Sequence, residues 1–233
     1  MRISNASLRP CETLWQRTGA PVSLSRLLDV VASAGGLVVL SPILLFAAVL
    51  VKLTSAGPVF YRSRRVGLHG KEFFLYKFRT MVANSDKVGP AITAAGDPRI
   101  TKVGAWLRRT KIDELPQLIN VFKGEMSLVG PRPEDPQYVA LYSAEQRKVL
   151  ESKPGITSPA SFEFRDESSL LQGVDWERKY REEILPRKLR MELEYQQRRS
   201  LFSDLLIILQ TVASVVGITL RGSRTIDGSR TQE

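Results

Sequence analysis

Arg108-Arg109-Thr110-Lys111-Ile112-Asp113-Glu114-Leu115-Pro116-Gln117-Leu118-Ile119-Asn120-Val121-Phe122-Lys123-Gly124-Glu125-Met126-Ser127-Leu128-Val129-Gly130-Pro131-Arg132-Pro133 is the stretch around which the chain is organised. Two adjacent carboxylates, Asp113 and Glu114, sit in it among cations. Pro116 follows closely, and Gly124 closes the apolar run Leu118-Ile119, Val121-Phe122. The spacing predicts a short helix with Asp113 at its N-cap, Pro116 in its first turn and Gly124 just past its end. A short apolar segment, Met126 to Val129, leads into Gly130-Pro131-Arg132-Pro133. An arginine between two prolines stands on a stiff backbone and loses little entropy on gripping a ligand. Acids at a helix start beside positioned arginines suit a phosphate ester handled with a divalent metal. The helix alone accounts for Asp113 as a cap and Glu114 as a solvated first-turn acid favoured by the dipole. It leaves unexplained the density of cations, the Pro-Arg-Pro loop and a long apolar segment upstream.

At 233 residues the chain supports one sizeable domain, and neither an internal repeat nor a second domain is evident. Its formal charge of +10 implies an anionic partner: nucleic acid, a membrane surface or phosphorylated substrates. Cys11 is the single cysteine, so no disulfide or cysteine zinc site forms within one chain. His69 is the single histidine, in Gly67-Leu68-His69-Gly70-Lys71, and reads as a solvated turn residue. A two-histidine metal site is thereby excluded, and a histidine-based triad disfavoured. The chemistry falls to carboxylates, arginines and lysines.

Residues 1–22 are polar and aperiodic and read as a flexible N-terminal tail, with no cleavable signal peptide. Val30 to Val51 is a run of 22 residues without a charge. As a straight helix it is roughly 33 Å long, against a hydrocarbon core of about 30 Å. Ser41-Pro42 lies at its middle, where proline removes a hydrogen bond and bends the helix. Both flanks are basic, with Arg17 and Arg26 before and Lys52, Arg62, Arg64 and Arg65 after, so charge sets no orientation. On the residues alone, a bent span and a bent helix that returns to its own face fit equally. Asp29, at the edge of the run, reads as an interfacial partner for Arg26.

Val59-Phe60-Tyr61 and Phe73 to Phe78 read as a small β-hairpin around the turn at Gly67 to Gly70. Gly89-Pro90 and Gly96-Asp97-Pro98 mark a loop over 83–99. Ile100, Val103, Trp106 and Leu107 recur at helical spacing and put Arg108 and Arg109 at a helix C-terminus, where cations offset the dipole. Tyr138 to Tyr142 reads as a helical turn, and Ser143-Ala144-Glu145-Gln146 as a capping box opening a helix to about Glu151. Lys153-Pro154-Gly155-Ile156-Thr157 reads as a turn. Asp175-Trp176 starts a helix interrupted near Pro186. Leu189, Leu193 and Tyr195, with Arg187, Lys188, Arg190, Arg198 and Arg199, form a basic amphipathic helix. It suits an anionic bilayer surface and, equally, packing of one face on the core. Leu205 to Leu220 is uncharged but only 16 residues, which predicts an interfacial or core helix rather than a span. The basic segment 221–233 reads as a disordered tail.

Asp113-Glu114-Leu115-Pro116-Gln117-Leu118, followed by Ser127-Leu128-Val129-Gly130-Pro131-Arg132-Pro133, resembles the bacterial sugar transferases known as monotopic phosphoglycosyl transferases. The likeness runs from about Leu27 to about Val216. Lys77-Phe78-Arg79-Thr80-Met81 and Asp97-Pro98-Arg99-Ile100-Thr101 are similar to two further family segments. Ser161-Phe162-Glu163-Phe164-Arg165 departs from the family's Gln-Val-Asn-Gly-Arg and keeps only the arginine. The resemblance implies an α+β, mostly helical fold: a single monotopic membrane domain with amphipathic interfacial helices. Its parts are a re-entrant membrane helix over 23–55, hinged at Ser41 and Pro42, and a cytoplasmic catalytic domain over 56–220. It implies transfer of a sugar-1-phosphate from a UDP-sugar to polyprenyl (undecaprenyl) phosphate, releasing UMP. That is the first membrane step of polysaccharide or glycan assembly, on the cytoplasmic face of the bacterial inner membrane. Asp113 matches the family's nucleophile, which forms a covalent aspartyl intermediate. Glu114 would ligate Mg²⁺ (or Mn²⁺) with Asp113, or orient the pair. Arg108, Arg132, Arg165, Lys77 and Arg79 would bind substrate phosphates. Anionic lipid is a further expected partner, a homodimer is allowed, and nucleic acid is not expected.

A non-enzymatic alternative is a basic, membrane-anchored adaptor for anionic lipid, a partner protein or nucleic acid. Composition, charge and the apolar helix fit it as well. It gives no reason for an Asp-Glu pair among the cations, where acids weaken anion binding.

Overall fold

The computed structural model describes residues 24–85, 96–165, 167–171 and 175–215. The expected tails, the Gly89-Pro90 segment and the end of the Leu205–Leu220 run lie outside them.

The uncharged run folds as two helices, α1 (Leu24–Val39) and α2 (Ser41–Thr54), bent by 61° at the expected place. Pro42 has no N–H, so the Val38 carbonyl loses its helical donor. The Ser41 hydroxyl donates to that carbonyl instead, at 2.7 Å. The Ser-Pro pair thus breaks the helix and heals one of its loose ends. Among the described residues no single helix is long and apolar enough to cross a membrane, although the bent pair passes together by length and composition. Val38, Val39, Leu45, Phe46 and Leu53 are exposed on it. Asp29, expected at an interface with Arg26, is buried instead and accepts from the Leu128 N–H at 2.9 Å and the Ser127 hydroxyl at 3.1 Å. Arg26 donates to the carbonyls of Val121 and Phe122 at 2.7 and 2.9 Å. Both polar residues fasten α1 to the segment carrying the Asp-Glu pair.

The hairpin forms as expected: β1 (Phe60–Val66) pairs antiparallel with β2 (Glu72–Phe78), Phe60 opposite Phe78. His69 stands exposed in its turn. Phe78 packs with Ala47 and Val51 of α2 and with Leu107 of α3 (Lys102–Thr110). Leu75 packs with Val121 and Met126.

The helix expected to begin at Asp113 is divided. Lys111 ends α3 in a left-handed conformation, Ile112–Glu114 make one 3₁₀ turn, and α4 (Gln117–Lys123) starts after Pro116. The N–H groups of Glu114 and Leu115 go to the carbonyls of Lys111 and Ile112, each at 3.2 Å. Backbone carbonyls therefore serve the donors that an Asp113 cap would have served. Asp113 is not the N-cap, and its carboxylate is released from that duty. Gly124 ends α4 at φ 87°, as expected.

β3 (Ser127–Val129) pairs in parallel with β4 (Gly155–Thr157), so the turn expected over Lys153 to Thr157 runs into a strand. The two backbones cross closely just beyond: a Cβ on Gly155 would fall 2.1 Å from the Gly130 nitrogen. Short helices follow, α5 (Pro136–Val139) and α6 (Ala144–Arg147), the latter opened by the expected capping box at Ser143. After α7 (Pro159–Glu163), α8 (Glu167–Leu170) and α9 (Trp176–Lys179) comes a π turn, Tyr180–Ile184, which ends two residues before Pro186. α10 (Leu185–Arg198) then buries Leu185 and Leu189 against Tyr138, Tyr142 and Tyr180. Of the two readings of that amphipathic helix, core packing takes its apolar face. α11 (Leu201–Val215) leaves Leu201, Phe202, Leu205, Leu206, Leu209 and Val212 exposed. The fold is α+β and mostly helical, with two small two-stranded sheets.

Candidate active site

Four elements converge on the Asp-Glu pair. The 3₁₀ turn presents Asp113 and Glu114, β2 presents Lys77, the end of α3 presents Arg108, and the loop after β3 presents Arg132. Asn120 on α4 fixes β2 in register. Its side chain donates to the Phe74 carbonyl at 2.7 Å and accepts from the Tyr76 N–H at 3.0 Å. Lys77, the next residue, then reaches Glu114 at 3.1 Å.

Glu114 is clamped. Arg132 donates from both terminal nitrogens, Nη1 to Oε2 at 3.4 Å and Nη2 to Oε1, while Lys77 holds Oε1 as well. Burial works to raise its pKa, but Arg132 and Lys77 outweigh burial and hold it well below the usual carboxylate range. Asp113 is different. It is 7% exposed, and its Oδ1 is buried without a hydrogen-bond partner among the described residues. Burial first, and the Glu114 charge second, push its pKa up to about 6 against the pull of Lys77, Arg108 and Lys111. Two neighbouring acids are thus driven apart, one fixed as an anion and one poised to titrate.

The remaining cations divide by role. Arg108 donates from Nε to the Thr80 hydroxyl at 2.8 Å, which orients its guanidinium. Arg165 donates to the Ser214 carbonyl at 3.1 Å and to the Ser214 hydroxyl. Arg79 is buried and braces the end of α2, with Nη2 on the Ser55 carbonyl and hydroxyl, both at 2.7 Å. All seven residues expected at the site line one cleft of about 2040 Å³. Gly36, Leu40 and Ile43, around the helix break, line it too. The cleft therefore runs from an apolar wall at the Ser41-Pro42 hinge to a cationic wall at Arg132.

Sequence reasoning missed two contributors. Glu134, directly after the Pro-Arg-Pro loop, pairs with Arg65 at 3.2 Å and accepts from the Tyr180 hydroxyl, which anchors that loop. Its position beside Pro133 was the available signal. Lys111 also lines the cleft, and nothing in its spacing marks it.

Among the described residues no three His, Cys, Asp or Glu side chains gather as a metal cage. The pair nonetheless fits a hard ion such as Mg²⁺, which takes one or two carboxylates and completes its shell with water and substrate phosphates. The Asp113 oxygen without a partner among the described residues is the donor that supports this fit.

A clamped acid, a poised acid and a set of cations thus line one cleft. The chain belongs to the bacterial sugar transferase family, whose model matches residues 21–217. It is 40% identical over 193 residues to an uncharacterised sugar transferase, EpsL, of Bacillus subtilis, covering 83% of this chain and 87% of that one. It is 40% identical over 194 residues to the UDP-glucose:undecaprenyl-phosphate glucose-1-phosphate transferase of Caulobacter vibrioides, covering 82% and 69%. A third relative, at 34% over 200 residues, is the UDP-N-acetylgalactosamine-undecaprenyl-phosphate N-acetylgalactosaminephosphotransferase of Aeromonas hydrophila, of which the chain spans 44%.

Proposed function

We propose that the protein transfers a sugar-1-phosphate from a UDP-sugar to polyprenyl phosphate and releases UMP, as an early membrane step of polysaccharide assembly. The observation that carries this is the Asp113 oxygen, buried without a hydrogen-bond partner among the described residues, beside the clamped Glu114 in a cleft with one apolar and one cationic wall. The names of the Caulobacter and Aeromonas relatives support the same donor and acceptor classes.

Asp113 attacks the sugar-bound phosphorus. A carboxylate–phosphorus bond forms, the bond to the bridging oxygen breaks, and UMP leaves with its electron pair. A phosphate oxygen of the lipid then attacks the same phosphorus, and the Asp113 carboxylate is released. A diphosphate repels a carboxylate, so Arg108, Arg132 and Arg165 neutralise it through paired guanidinium–phosphate bonds. Lys77 holds Glu114 in place. When bound, Mg²⁺ or Mn²⁺ would be held by Asp113 and Glu114 and supply further charge neutralisation.

The lipid acceptor reaches the cleft from the membrane. On this reading α1 and α2 enter and leave the cytoplasmic face of the inner membrane, hinged at Ser41 and Pro42, and α11 lies in the interface with its apolar face down. Exposed Arg187, Arg190 and Arg198 then meet anionic lipid. The adaptor reading gives no work to a buried carboxylate whose Oδ1 has no partner among the described residues.

The test is UMP release from a panel of UDP-sugars, with polyprenyl phosphate and Mg²⁺, on protein held in lipid nanodiscs. No release with any donor would sink the proposal. Three expectations follow from the geometry. The nucleophile is the ionised Asp113, so kcat/KM rises with pH through about 6, with unit slope below it. Stability moves the other way. A carboxyl raised from 3.8 to about 6 binds more protons folded than unfolded, so this site loses stability as pH climbs across that window. A flat kcat/KM profile between pH 5 and 7 would remove the raised Asp113 from the rate (the range being about one unit either side of the midpoint). Arg132→Lys keeps the charge and loses the fork that spans both Glu114 oxygens. A loss of about 1–3 kcal/mol in transition-state binding is expected, and wild-type kinetics would take Arg132 out of the site.

A further inference from the structure

Lys111 holds a backbone conformation that suits its side chain poorly. At φ 59° and ψ 12° it is left-handed, where a Cβ is crowded and glycine or asparagine is the usual occupant. The chain needs that conformation here. The Lys111 N–H turns back to the Arg108 carbonyl, and the Lys111 carbonyl accepts from Glu114, each at 3.2 Å. That reversal is what aims the Asp-Glu turn at the cleft. Glycine would serve the backbone better, so the side chain is the part left to explain.

The side chain lines the cleft, and its ammonium donates to the Arg165 carbonyl at 3.4 Å. That long contact is its only hydrogen bond to the described residues. An ammonium carries three donors, so donors remain for a ligand. The charge also acts on both carboxylates of the pair, favouring their ionised forms. Lys111 therefore stands between the Asp-Glu turn and the Arg165 segment, with its charge toward the place where a phosphorus must sit for Asp113 to reach it.

We propose that Lys111 contacts substrate: its ammonium holds the phosphoryl group that Asp113 attacks, between Asp113 and the Arg165 segment. This rests on the phosphoglycosyl-transfer reading and adds to it the residue that grips the transferring phosphate. The ammonium balances charge while the Asp113–phosphorus bond forms and UMP departs with the electrons of the broken bond. Lys111 itself neither gains nor loses a proton.

Lys111→Gly and Lys111→Asn separate this from a merely structural tie to Arg165. Both residues accept the left-handed backbone, and asparagine does so without glycine's added chain entropy. With full-length protein in nanodiscs, Tm is expected to stay level or rise in at least the asparagine variant. kcat/KM for the UDP-sugar is expected to fall about 10- to 100-fold in both, as for a lost charged hydrogen bond. Lys111→Arg should recover part of that loss. Inorganic phosphate should raise the Tm of the wild type and raise it less in both variants. Wild-type kcat/KM in either variant overturns the proposal. So does an activity loss that only tracks a fallen Tm in both. If the wild type releases no UMP from any donor, the phosphoglycosyl reading fails on its own account. The phosphate shift then decides for Lys111 alone, and equal shifts in wild type and variants reject it.

Discussion

Asp113→Asn is expected to abolish turnover and leave the fold intact. The two halves of that result have separate causes. Asp113 caps no helix, because backbone carbonyls satisfy the donors of its turn. Its Oδ1 bonds to nothing among the described residues. Asparagine matches its size, and the burial that pushes the acid up to about 6 no longer opposes a charge. Thermal unfolding should therefore move little or upward. Asparagine cannot form the bond to phosphorus, and loss of a covalent nucleophile removes on the order of 10⁴-fold or more in rate. UMP release measured beside a melting curve decides it. A variant that melts like wild type and still turns over at a comparable rate would take the nucleophile role from Asp113.

Glu114→Gln is expected to injure both stability and activity, for a reason its neighbour does not share. Lys77 and Arg132 converge on this one carboxylate. Taking away one member of a buried ion pair costs about 3–5 kcal/mol, because the partners stay behind uncompensated. The Arg132 side chain is 31% exposed, so solvent relieves part of this and about 2–3 kcal/mol is expected. Activity should fall further than stability, since Lys77 and Arg132 lose their anchor. Excess Mg²⁺ or Mn²⁺ should restore part of it if Glu114 acts through the metal. The variant also carries a signature in its pH profile. Glu114 is the second cause of the raised Asp113 pKa. Without that charge the acid limb of residual activity should move below pH 6, toward the ordinary aspartate range. An unchanged limb would mean that the two acids are not coupled in the working enzyme.

Much of this arrangement was legible in the residues. Pro42 in an uncharged run forces a break, and the break is there. Gly124 and the Ser143 capping box end and open helices where their chemistry says they should. The Pro-Arg-Pro loop and the Asp-Glu pair meet, as motif order suggested. What was not legible is tertiary. Nothing local says that Lys111 turns left-handed, so the Asp113 cap looked sound although the chain reverses one turn earlier. Nothing local pairs Ser127–Val129 with Gly155–Thr157, because the contact is made where two glycine-bearing backbones cross. Asp29 read as an interfacial charge, since the Leu128 N–H that it caps lies far along the chain. The periodicity of α10 showed that one face is apolar but could not say whether lipid or Tyr180 would cover it.

Whether Asp113 carries the phosphosugar is read from the intact mass of the protein. Wild-type protein is incubated with the donor UDP-sugar and Mg²⁺, without lipid acceptor, and quenched rapidly. The wild type is expected to gain the mass of one sugar phosphate and to release UMP in matching amount, and Asp113→Asn to do neither. An active wild-type preparation that shows no adduct, and releases UMP only when both substrates are bound, would contradict it and leave Asp113 as a metal ligand or base in a direct transfer.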